Sequence, residues 1–423
     1  MNDKRKGDKI VKKIKYLVIG AGISGLAFAV QKKEDDYLIL EKNSVAGGLC
    51  QSFRKAGYVW DVAGHFFHFH SENTKKYYEE LMEGKKQCTA IKCAKAYYAG
   101  NYMDAPFQYN IHQLPANEFL ECLTDLYYAD CPEGNIPFDQ FVQKKFGEGI
   151  ANKFLIPYNE KLYACKMNDL ERDSMGAFLP KLDFEMLMKF YRGYKGETYN
   201  DTFRYPINGC DGIIDALCKQ LDKNRIHLNE EVVDINYSEK TIVTTKGQYE
   251  YEYLINTAPL SEFGRMIHDD NVNILNYNKV LVLNIGFDKP SIDKQVSWAY
   301  YPGDEIFYRV GFYNNIASTE LLSIYVEIGY SANAEIDISE ALSKTLIDLK
   351  RTGVINEHQV VAYEPYIINP GYAHITTQGK EYTNSLIKKM ECNNVFMVGR
   401  YARWEYSAMD DSLEQAEALA KRI

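Results

Sequence analysis

The stretch KYLVIGAGISG at residues 15–25 joins a short apolar segment to a turn with three glycines. Apolar and β-branched side chains that end at a glycine are typical of a buried strand. Gly20 and Gly22 allow a tight turn and a close backbone approach to a pyrophosphate, and Gly25 allows the next helix to pack on the strand. That helix, predicted over residues 23–33, directs free N–H groups and the positive end of its dipole at the phosphates. Because the motif lies between a strand and a helix, it predicts a dinucleotide-binding turn.

Glu41 ends the next predicted strand, residues 37–40. A carboxylate there accepts hydrogen bonds from a ribose diol and repels a 2′-phosphate, which favours FAD or NAD over NADP. Gly47, Gly48 and Leu49 follow shortly afterwards, and the two glycines give a loop that can pass close to the cofactor. This arrangement resembles the FAD-binding amine oxidase class, so FAD is the expected cofactor.

The C-terminal end carries a second segment of this kind, in which VGR at residues 398–400 is followed by Trp404, Tyr406 and MDD at residues 409–411. This order is similar to the segment that closes over the isoalloxazine ring of FAD. Backbone N–H groups at the start of the last predicted helix can receive the flavin O2 and the charge of an anionic reduced flavin. An aspartate N-cap at the same place is a compatible alternative. We therefore expect the flavin domain to be assembled from both ends of the chain.

The composition is that of an ordinary globular protein, with 423 residues, 46% hydrophobic and 25% charged. The formal net charge of −9 argues against a nucleic-acid partner, and no apolar run is long enough to span a membrane. The basic first fifteen residues lack the apolar core of a signal peptide, which predicts a solvated tail. The nine cysteines show no Cys-x-x-Cys spacing, which indicates reduced thiols in a cytoplasmic protein and supports neither zinc nor a disulfide framework.

The periodic segments predict an α/β protein with a Rossmann-like FAD-binding domain built from discontinuous segments. Helical patterns at 118–128, 138–146, 149–163 and 174–191 indicate an inserted helical domain. Strand patterns between residues 279 and 366 indicate an antiparallel β-sheet substrate domain. The expected boundaries are 1–100, 200–272 and 381–423 for the FAD-binding domain, 101–199 for the helical domain and 273–380 for the sheet domain.

Seven ordered segments together resemble the UDP-galactopyranose mutase family. They are GYVWDVAGH at 57–65, DAPFQYNI at 104–111, the helical region at 146–163, NDTFRYP at 200–206, FYR at 307–309, Gly371 with Tyr372, and the segment 399–410. The resemblance covers nearly the whole chain. Three positions depart from the family: an arginine that grips the diphosphate is missing near Phe178, Tyr163 replaces a tryptophan, and Ala63 stands where glycine is usual.

The resemblance implies a flavin-dependent mutase that interconverts the pyranose and furanose forms of a nucleotide-diphosphate sugar, as in UDP-galactopyranose and UDP-galactofuranose. In this family the flavin must be reduced, and its N5 attacks the anomeric carbon while the nucleoside diphosphate leaves. NAD(P)H is a candidate reductant. The expected partner is a small-molecule nucleotide sugar, with no nucleic acid and no membrane span, and the sequence leaves a homo-oligomer open.

A departing diphosphate needs cations, and arginine is planar, permanently charged and bidentate towards phosphate. The resemblance places five residues at the reacting sugar, namely His65, Arg309, Arg400, Tyr372 and Tyr406. The expected cofactor-binding residues are Gly20, Gly22, Ile23, Ser24, Gly25, Glu41, Lys42, Gly47, Gly48, Leu49, His65, Val233, Gly399, Arg400, Met409, Asp410 and Ser412. The expected substrate-binding residues are Phe107, Gln108, Tyr158, Asn159, Tyr163, Asn200, Arg309, Tyr372 and Tyr406.

Two other interpretations compete with the mutase, and a metal site is a separate alternative for the histidines. An FAD-dependent oxidase or desaturase of the same superfamily would need an apolar substrate tunnel, which Arg309 and Arg400 disfavour. A flavin-containing scaffold without activity is supported only by the arginine missing near Phe178. The three histidines between residues 65 and 70 invite a zinc site, but no acidic or cysteine partner has suitable spacing.

Overall fold

The computed structural model describes residues 12–172, 174–175, 179, 182–194 and 202–423. Residues 1–11 of the predicted tail, the predicted substrate residue Asn200 and the position of Phe178 lie outside these residues. The tail prediction is wrong for residues 12–15, which belong to the first strand, Lys12–Ile19. The helices are Ile23–Gln31 (α1), Glu72–Leu81 (α2), Ala116–Tyr127 (α3), Phe138–Phe146 (α4), Glu148–Ile150 (α5), Ile156–Tyr163 (α6), Phe184–Tyr191 (α7), Asp211–Cys218 (α8), Leu260–Met266 (α9), Tyr313–Ala317 (α10), Ile338–Arg351 (α11), Thr377–Glu391 (α12) and Met409–Arg422 (α13).

The strands are Lys12–Ile19 (β1), Tyr37–Leu40 (β2), Ser52–Lys55 (β3), Tyr58–Asp61 (β4), Gln87–Ile91 (β5), Ala94–Tyr98 (β6), Asn101–Asp104 (β7), Thr202–Pro206 (β8), Ile226–His227 (β9), Val232–Asn236 (β10), Thr241–Thr244 (β11), Gln248–Asn256 (β12), Asn278–Phe287 (β13), Trp298–Tyr300 (β14), Arg309–Phe312 (β15), Ser323–Ser331 (β16), Val360–Ile368 (β17) and Val395–Met397 (β18). Two short antiparallel pairs, β3 with β4 and β5 with β8, lie outside the two large sheets.

The first large sheet has the order β10-β11-β12-β1-β2-β9, with β18 paired to β12. β1 lies at its centre, parallel to both β12 and β2. Tyr16 and Val18 belong to the same core cluster as α1 and α13, whereas Leu17 and Ile19 belong to that of α9 and α12. Because successive strand residues face opposite sides, β1 is buried by helices on both faces. The predicted α/β fold, with both chain ends in one sheet, is confirmed.

The second large sheet has the order β17-β13-β16-β15-β14-β6-β7 and is antiparallel except between β14 and β6. Its last two strands lie outside the range 273–380 expected for the sheet domain, because β6 falls within residues 1–100, assigned to the FAD-binding domain, and β7 within residues 101–199, assigned to the helical domain. Positive φ angles at Ala99 and Gly100 turn the chain into the β6–β7 hairpin. Ala94, Ala96 and Met103 are buried in the core on this side. Burial of these side chains and the pairing of β6 with β14 therefore join this hairpin to the second sheet.

Helices α3 to α7 form the region expected to be helical. A π-helical turn, Ala151–Leu155, joins α5 to α6 into one continuous stretch, as predicted for 149–163. Of the predicted helix at 174–191, residues 184–191 are helical (α7), whereas the described residues 174, 175, 179, 182 and 183 are not. Asp183 caps it by accepting the N–H of Met186 at 2.7 Å, and Ser174 is held in a turn by the carbonyl of Glu171. Within the described ranges, no helix has both the length and the apolar character needed to cross a bilayer.

Candidate active site

A cavity of about 1630 Å³ runs from the glycine turn after β1 to the face of the second sheet and the helical region. The first and last segments of the chain line one end, and β14 to β16 with α4 and α6 line the other. Ligand sites in α/β folds lie at the carboxyl ends of parallel strands, which is where this cavity begins. The first end is therefore the expected place for a cofactor, and the second the expected place for a substrate.

The glycine turn fits a pyrophosphate. A Cβ atom added at Gly22 would meet nothing within 4 Å, so the backbone there faces open cavity. A Cβ at Gly25 would collide with the carbonyl oxygen of Gly20, so Gly25 serves helix packing and does not line the cavity. Gly22 also forms a parallel bridge with Gly47, which brings the two glycine segments together at the N-terminus of α1.

Glu41 is buried beside this turn, with 6% of its surface exposed. Its carboxylate accepts the backbone N–H groups of Ala21 at 2.9 Å and Asn43 at 2.8 Å. It thus orients the glycine turn as well as lining the cavity. Lys42, Gly48, Leu49 and Val233 line the same end, as expected for residues around a nucleotide.

The C-terminal segment closes on the same end of the cavity, and Gly399, Met409 and Ser412 line it. Gly399 has a φ of +92°, and a Cβ there would collide with the Oγ of Ser24, so a side chain would push the two segments apart. The two end segments therefore meet where the backbone of Gly399 packs on the hydroxyl of Ser24.

Asp410 lies just behind this wall and is only 1% exposed. Its Oδ2 accepts the N–H of His70 at 3.1 Å and pairs with its Nδ1 at 2.7 Å, while Oδ1 has no hydrogen-bond partner among the described residues. Burial raises the pKa of Asp410. The N-cap of α13 is Ala408, whose N–H donates to Asp411, so Asp410 is not the cap. Asp410, expected to bind the cofactor, does not itself line the cavity, whereas His70, Met409 and Ser412 do, so its carboxylate holds the loop of His70 against the start of α13.

His65 lies between the two ends of the cavity, and its Nδ1 donates to the carbonyl of Ala63 at 3.0 Å. Burial lowers the pKa of His65 to about 4, and the charges of Arg400 and Arg309 act in the same direction. The imidazole is therefore neutral near pH 7, and its Nε2 is an acceptor.

The three histidines of this loop do not converge on a metal site. Within the described chain, the group with suitable spacing is His70 with Asp410 and Asp411, whose ligand atoms lie within 4.8 Å of one another. His68 instead lines the cavity, and burial followed by the charge of Lys92 lowers its pKa to about 4. His68 is not among the site residues predicted from the sequence.

Arg309 lies on the cavity wall at the start of β15, directly opposite Glu327 of β16. Its Nε and Nη2 both donate to the Glu327 carboxylate, the second at 2.8 Å, and Glu327 is 2% exposed. Burial would lower the pKa of Arg309, but Glu327 and nearby tyrosines hold it above the ordinary value. The predicted cation is thus present, but a carboxylate that was not predicted neutralises it. Glu327 could be predicted only from the register of β15 against β16, and the residue pattern of one strand does not give that register.

Arg400 has a different environment. Its guanidinium lies 4.5 Å from the ring centroid of Tyr406, 5.1 Å from Tyr372 and 5.8 Å from Tyr401. Nη1 donates to the carbonyl of Ser407 at 3.1 Å, and no carboxylate in the described part of the chain forms an ion pair with it. The ring faces stabilise the cation without cancelling its charge. Arg400 is therefore available to an anionic ligand.

A row of aromatic rings connects the helical region to these arginines. Phe107 stacks on Phe154 at 4.8 Å, Phe154 stacks on Tyr158 at 5.4 Å, and Tyr158 meets Tyr300 edge-on at 5.3 Å. All four rings line the cavity, together with Tyr308, Tyr325, Tyr372 and Tyr406. Flat faces and hydroxyls side by side suit a ligand with sugar and base rings.

The other predicted substrate residues do not all line the cavity. Gln108 and Asn159 line the cavity, and Asn159 donates from Nδ2 to the carbonyl of Leu155 at 2.6 Å. Tyr163 does not line it, because its ring packs edge-on behind Tyr372 and its hydroxyl donates to the carbonyl of Ser174 at 3.0 Å. We correct Tyr163 from a substrate contact to a residue that supports Tyr372.

Comparison with known proteins places the chain among flavoproteins. A family model described as flavin containing amine oxidoreductase matches residues 23–423. The crystal structure of a reduced UDP-galactopyranose mutase is similar with a TM-score of 0.89, at 24% identity over 97% of this chain and 93% of that one. A putative protoporphyrinogen oxidase from Exiguobacterium sp. 255-15 follows with a TM-score of 0.77, at 15% identity over 97% and 98%. Wild-type putrescine oxidase bound to putrescine has a TM-score of 0.67, at 13% identity over 97% and 99%.

One curated sequence relative covers a short segment. An uncharacterized protein in the nifH2 3′ region of Methanothermococcus thermolithotrophicus is 46% identical over 54 residues, which is 12% of this chain. The match spans about half of that relative, 52% of its length. At the identities of the solved structures, the shared property is the fold.

Proposed function

This chain belongs to the flavin containing amine oxidoreductase family, and we propose that it is an FAD-dependent mutase that interconverts the pyranose and furanose forms of a nucleoside diphosphate sugar. The observation that carries the proposal is the pair of arginines in a tyrosine-lined cavity. Arg309 and Arg400 both line it, with hydroxyl-bearing rings around them. The similarity to the reduced UDP-galactopyranose mutase supports the same reaction class.

The competing function is oxidation or desaturation of an apolar or amine substrate, which the names of other similar structures suggest. Such a reaction needs a largely apolar tunnel, or a carboxylate that is free to meet an amine. The buried carboxylate at this end of the cavity, Glu327, is already bound by two nitrogens of Arg309. The two arginines and the tyrosine hydroxyls at this end of the cavity therefore favour an anionic, hydroxylated substrate.

Bound and reduced, FAD supplies a nucleophilic nitrogen, N5, for the anomeric carbon. The chain's own residues hold the leaving diphosphate and orient the sugar. Arg400 presents an uncompensated charge to the diphosphate, and Arg309, held in one orientation by Glu327, donates hydrogen bonds from its remaining N–H groups. His65 is neutral and accepts a hydrogen bond from a sugar hydroxyl through Nε2. The aromatic rows exclude water from this part of the cavity.

The test is conversion of candidate nucleotide sugars by purified protein with and without dithionite. The proposal expects turnover only when the flavin is reduced, with no reductant consumed per turnover. Turnover by the oxidised protein with stoichiometric peroxide would instead establish the oxidase.

Two arginine variants distinguish a direct contact with the ligand from a general effect of removing one positive charge. Arg400→Ala should lower the affinity for the nucleoside diphosphate by roughly 30-fold or more, since losing one partner of such a pair costs about 2 kcal/mol at least. Arg403→Ala removes the same charge three residues away, where the arginine pairs with Glu405 at the surface, and should bind like wild type. Thermal shifts with UDP, dTDP and GDP identify the base. Equal binding by the two variants would remove Arg400 from the proposed site.

A further inference from the structure

The orientation of the His65 ring depends on one backbone carbonyl. Its Nδ1 lies 3.0 Å from the carbonyl oxygen of Ala63. Because a carbonyl oxygen accepts hydrogen bonds and never donates them, Nδ1 carries the ring proton and Nε2 is left as an acceptor. The position of the Ala63 carbonyl therefore decides which nitrogen of His65 is presented to a ligand in the cavity.

The hydroxyl of Tyr313, in α10, contacts the same carbonyl. Tyr313 is buried, with 3% of its surface exposed, and it does not line the cavity. Its hydroxyl accepts the N–H of Asp61 at 3.2 Å and lies 3.1 Å from the carbonyl oxygen of Ala63. This one hydroxyl thus joins both ends of the turn that leads to His65, from a place where it does not meet a ligand itself.

The hydroxyl proton of Tyr313 has two acceptors within reach, the carbonyl oxygens of Asp61 at 3.4 Å and of Ala63 at 3.1 Å. The Asp61 carbonyl already accepts the side-chain N–H of the fully buried Asn284 at 2.9 Å. The shorter distance assigns the proton to Ala63. That oxygen then accepts one hydrogen bond from Tyr313 and one from His65, which together use both of its lone pairs. The Ala63 carbonyl cannot rotate without breaking one of them.

The same loop also rests on the second large sheet. A Cβ atom added at Gly64 would collide with the hydroxyl of Tyr325, a residue of β16 that lines the cavity. The ring of Tyr325 packs on that of Tyr313, with centroids 5.1 Å apart. His65 follows β4, which belongs to the small β3–β4 pair, but its place in the cavity is set by side chains of β16 and α10.

We propose that Tyr313 is a positioning residue for His65. By holding the Ala63 carbonyl, its hydroxyl keeps the imidazole proton on Nδ1 and leaves Nε2 free to accept a hydrogen bond from the sugar. The inference rests on the proposed function, in which His65 meets a sugar hydroxyl. It adds that binding of the sugar, but not of the diphosphate, depends on Tyr313.

Two tyrosine variants provide the test. Tyr313→Phe removes the hydroxyl and keeps the ring that packs on its neighbours. Tyr58→Phe is the matched control, because Tyr58 is also buried, begins β4, and donates its hydroxyl to the carbonyl of Phe287 at 2.6 Å. Each variant loses one buried hydrogen bond to a backbone carbonyl, but only Tyr313→Phe loses it at Ala63.

The first measurement is NMR of the His65 ring in FAD-loaded, ¹⁵N-histidine-labelled protein at pH 7, with the signals assigned by His65→Gln. Wild type should show a proton on Nδ1 and none on Nε2. In Tyr313→Phe the Nδ1 proton should exchange with solvent about fivefold faster, the typical effect of losing one hydrogen bond, because its acceptor is held less firmly. Tyr58→Phe should exchange like wild type.

The second measurement distinguishes positioning of His65 from a general loosening of the site. Titration calorimetry gives the affinity of the oxidised, FAD-loaded protein for whichever of UDP, dTDP and GDP wild type binds, and for the galactose ester of that nucleotide. Tyr313→Phe should bind the ester about fivefold more weakly and the free diphosphate equally well, because His65 meets the sugar. Tyr58→Phe should bind both ligands like wild type.

The outcomes separate this inference from the function on which it rests. If wild type binds none of these ligands, the proposed function fails, and the exchange rate alone decides whether Tyr313 positions His65. A wild-type ring with its proton on Nε2, or equal exchange in wild type and Tyr313→Phe, overturns the role of Tyr313. Equal losses of affinity for diphosphate and ester in Tyr313→Phe overturn it as well, since they indicate a structural role.

Discussion

Among single residues, Arg309 and Arg400 look equivalent in the sequence but carry different electrostatic roles. Arg309 is one half of a buried ion pair with Glu327, whereas Arg400 is surrounded by tyrosine rings. Removing one partner of a buried pair leaves an uncompensated charge, but removing a cation from aromatic faces does not. The two positions should therefore respond differently to the same substitution.

We predict that Arg309→Ala lowers the free energy of unfolding by about 3 kcal/mol, because Glu327 is left buried without a partner. The double variant Arg309→Ala with Glu327→Ala should regain much of this stability while still binding nucleotide poorly. Urea unfolding of the three proteins measures the effect. The exposed pair Arg265 and Glu262 provides the control, and Arg265→Ala should cost less than about 1 kcal/mol. An Arg309→Ala protein as stable as wild type would contradict the buried pair.

Asp61 gives a second prediction for a single residue, on pH. It is fully buried, accepts hydrogen bonds from Ser52 at 2.6 Å and the N–H of Cys210 at 2.9 Å, and burial raises its pKa from 3.8 to about 6. Because the folded-state pKa is above the unfolded one, the contribution of Asp61 is fully present below about pH 4 and is lost as the pH rises through 6. The loss is about 3 kcal/mol, at about 1.4 kcal/mol per unit of pKa.

Asp61→Asn should abolish this dependence. The free energy of unfolding is measured for both proteins between pH 4.5 and 7.5. As the pH rises, wild type should lose stability relative to Asp61→Asn. Parallel pH profiles for the two proteins would show that Asp61 does not titrate in this range.

Among the structural elements, the unit β1–turn–α1 satisfies two requirements at neighbouring glycines. Gly25 permits contact between the helix and the turn, since a Cβ there would collide with the Gly20 carbonyl. Gly22 has a φ of −79°, which any residue can adopt, and a Cβ there would point into open space. The requirement for glycine at residue 22 therefore concerns the ligand rather than the fold. Substitutions at Gly25 and Gly22 can therefore distinguish an effect on folding from an effect on cofactor binding.

We predict that Gly25→Ala destabilises even the cofactor-free protein by about 1–3 kcal/mol, as overpacking does. Gly22→Ala should leave the cofactor-free protein as stable as wild type and weaken FAD binding at least about tenfold. Thermal unfolding of the cofactor-free proteins and FAD titration by flavin fluorescence measure the two effects. A cofactor-free Gly22→Ala protein as unstable as Gly25→Ala would show that Gly22 also serves packing.

In the whole molecule, one cavity is enclosed by segments from both ends of the chain and by the regions inserted between them. β18 joins the sheet that contains β1, and the segment between β18 and α13 lines the cavity opposite the glycine turn. Neither end can form the cofactor site by itself. Cofactor binding and closure of the fold should therefore be thermodynamically linked.

We predict that FAD stabilises the protein by about 4 kcal/mol when it is present at about 1,000 times its dissociation constant. Hydrogen exchange should slow in both terminal segments together, at residues 15–25 and 399–412, because both line the cavity. Exchange of α11 should remain unchanged, since this helix does not line it. Protection of the N-terminal segment alone would contradict a site shared by the two ends.

The cofactor end of the cavity could be predicted from local sequence. Gly20 and Gly47 are required by local backbone geometry, Gly22 is required by the close approach of a ligand, and Glu41 directly follows the end of β2. These residues are close to one another in the chain, so the motif that they form can be recognised from the sequence alone. The same is true of α4 and of the α5–α6 stretch, whose apolar periodicity is local.

The substrate end depends on the three-dimensional fold. The pairing of Glu327 with Arg309 requires the register of β15 against β16, and the position of Tyr163 behind Tyr372 depends on how α6 packs on the second sheet. Tyr313 meets the carbonyl of Ala63 although 250 positions separate them in the chain. These contacts join residues that are distant in sequence, and their energies come from burial and cross-strand pairing, which no local pattern encodes.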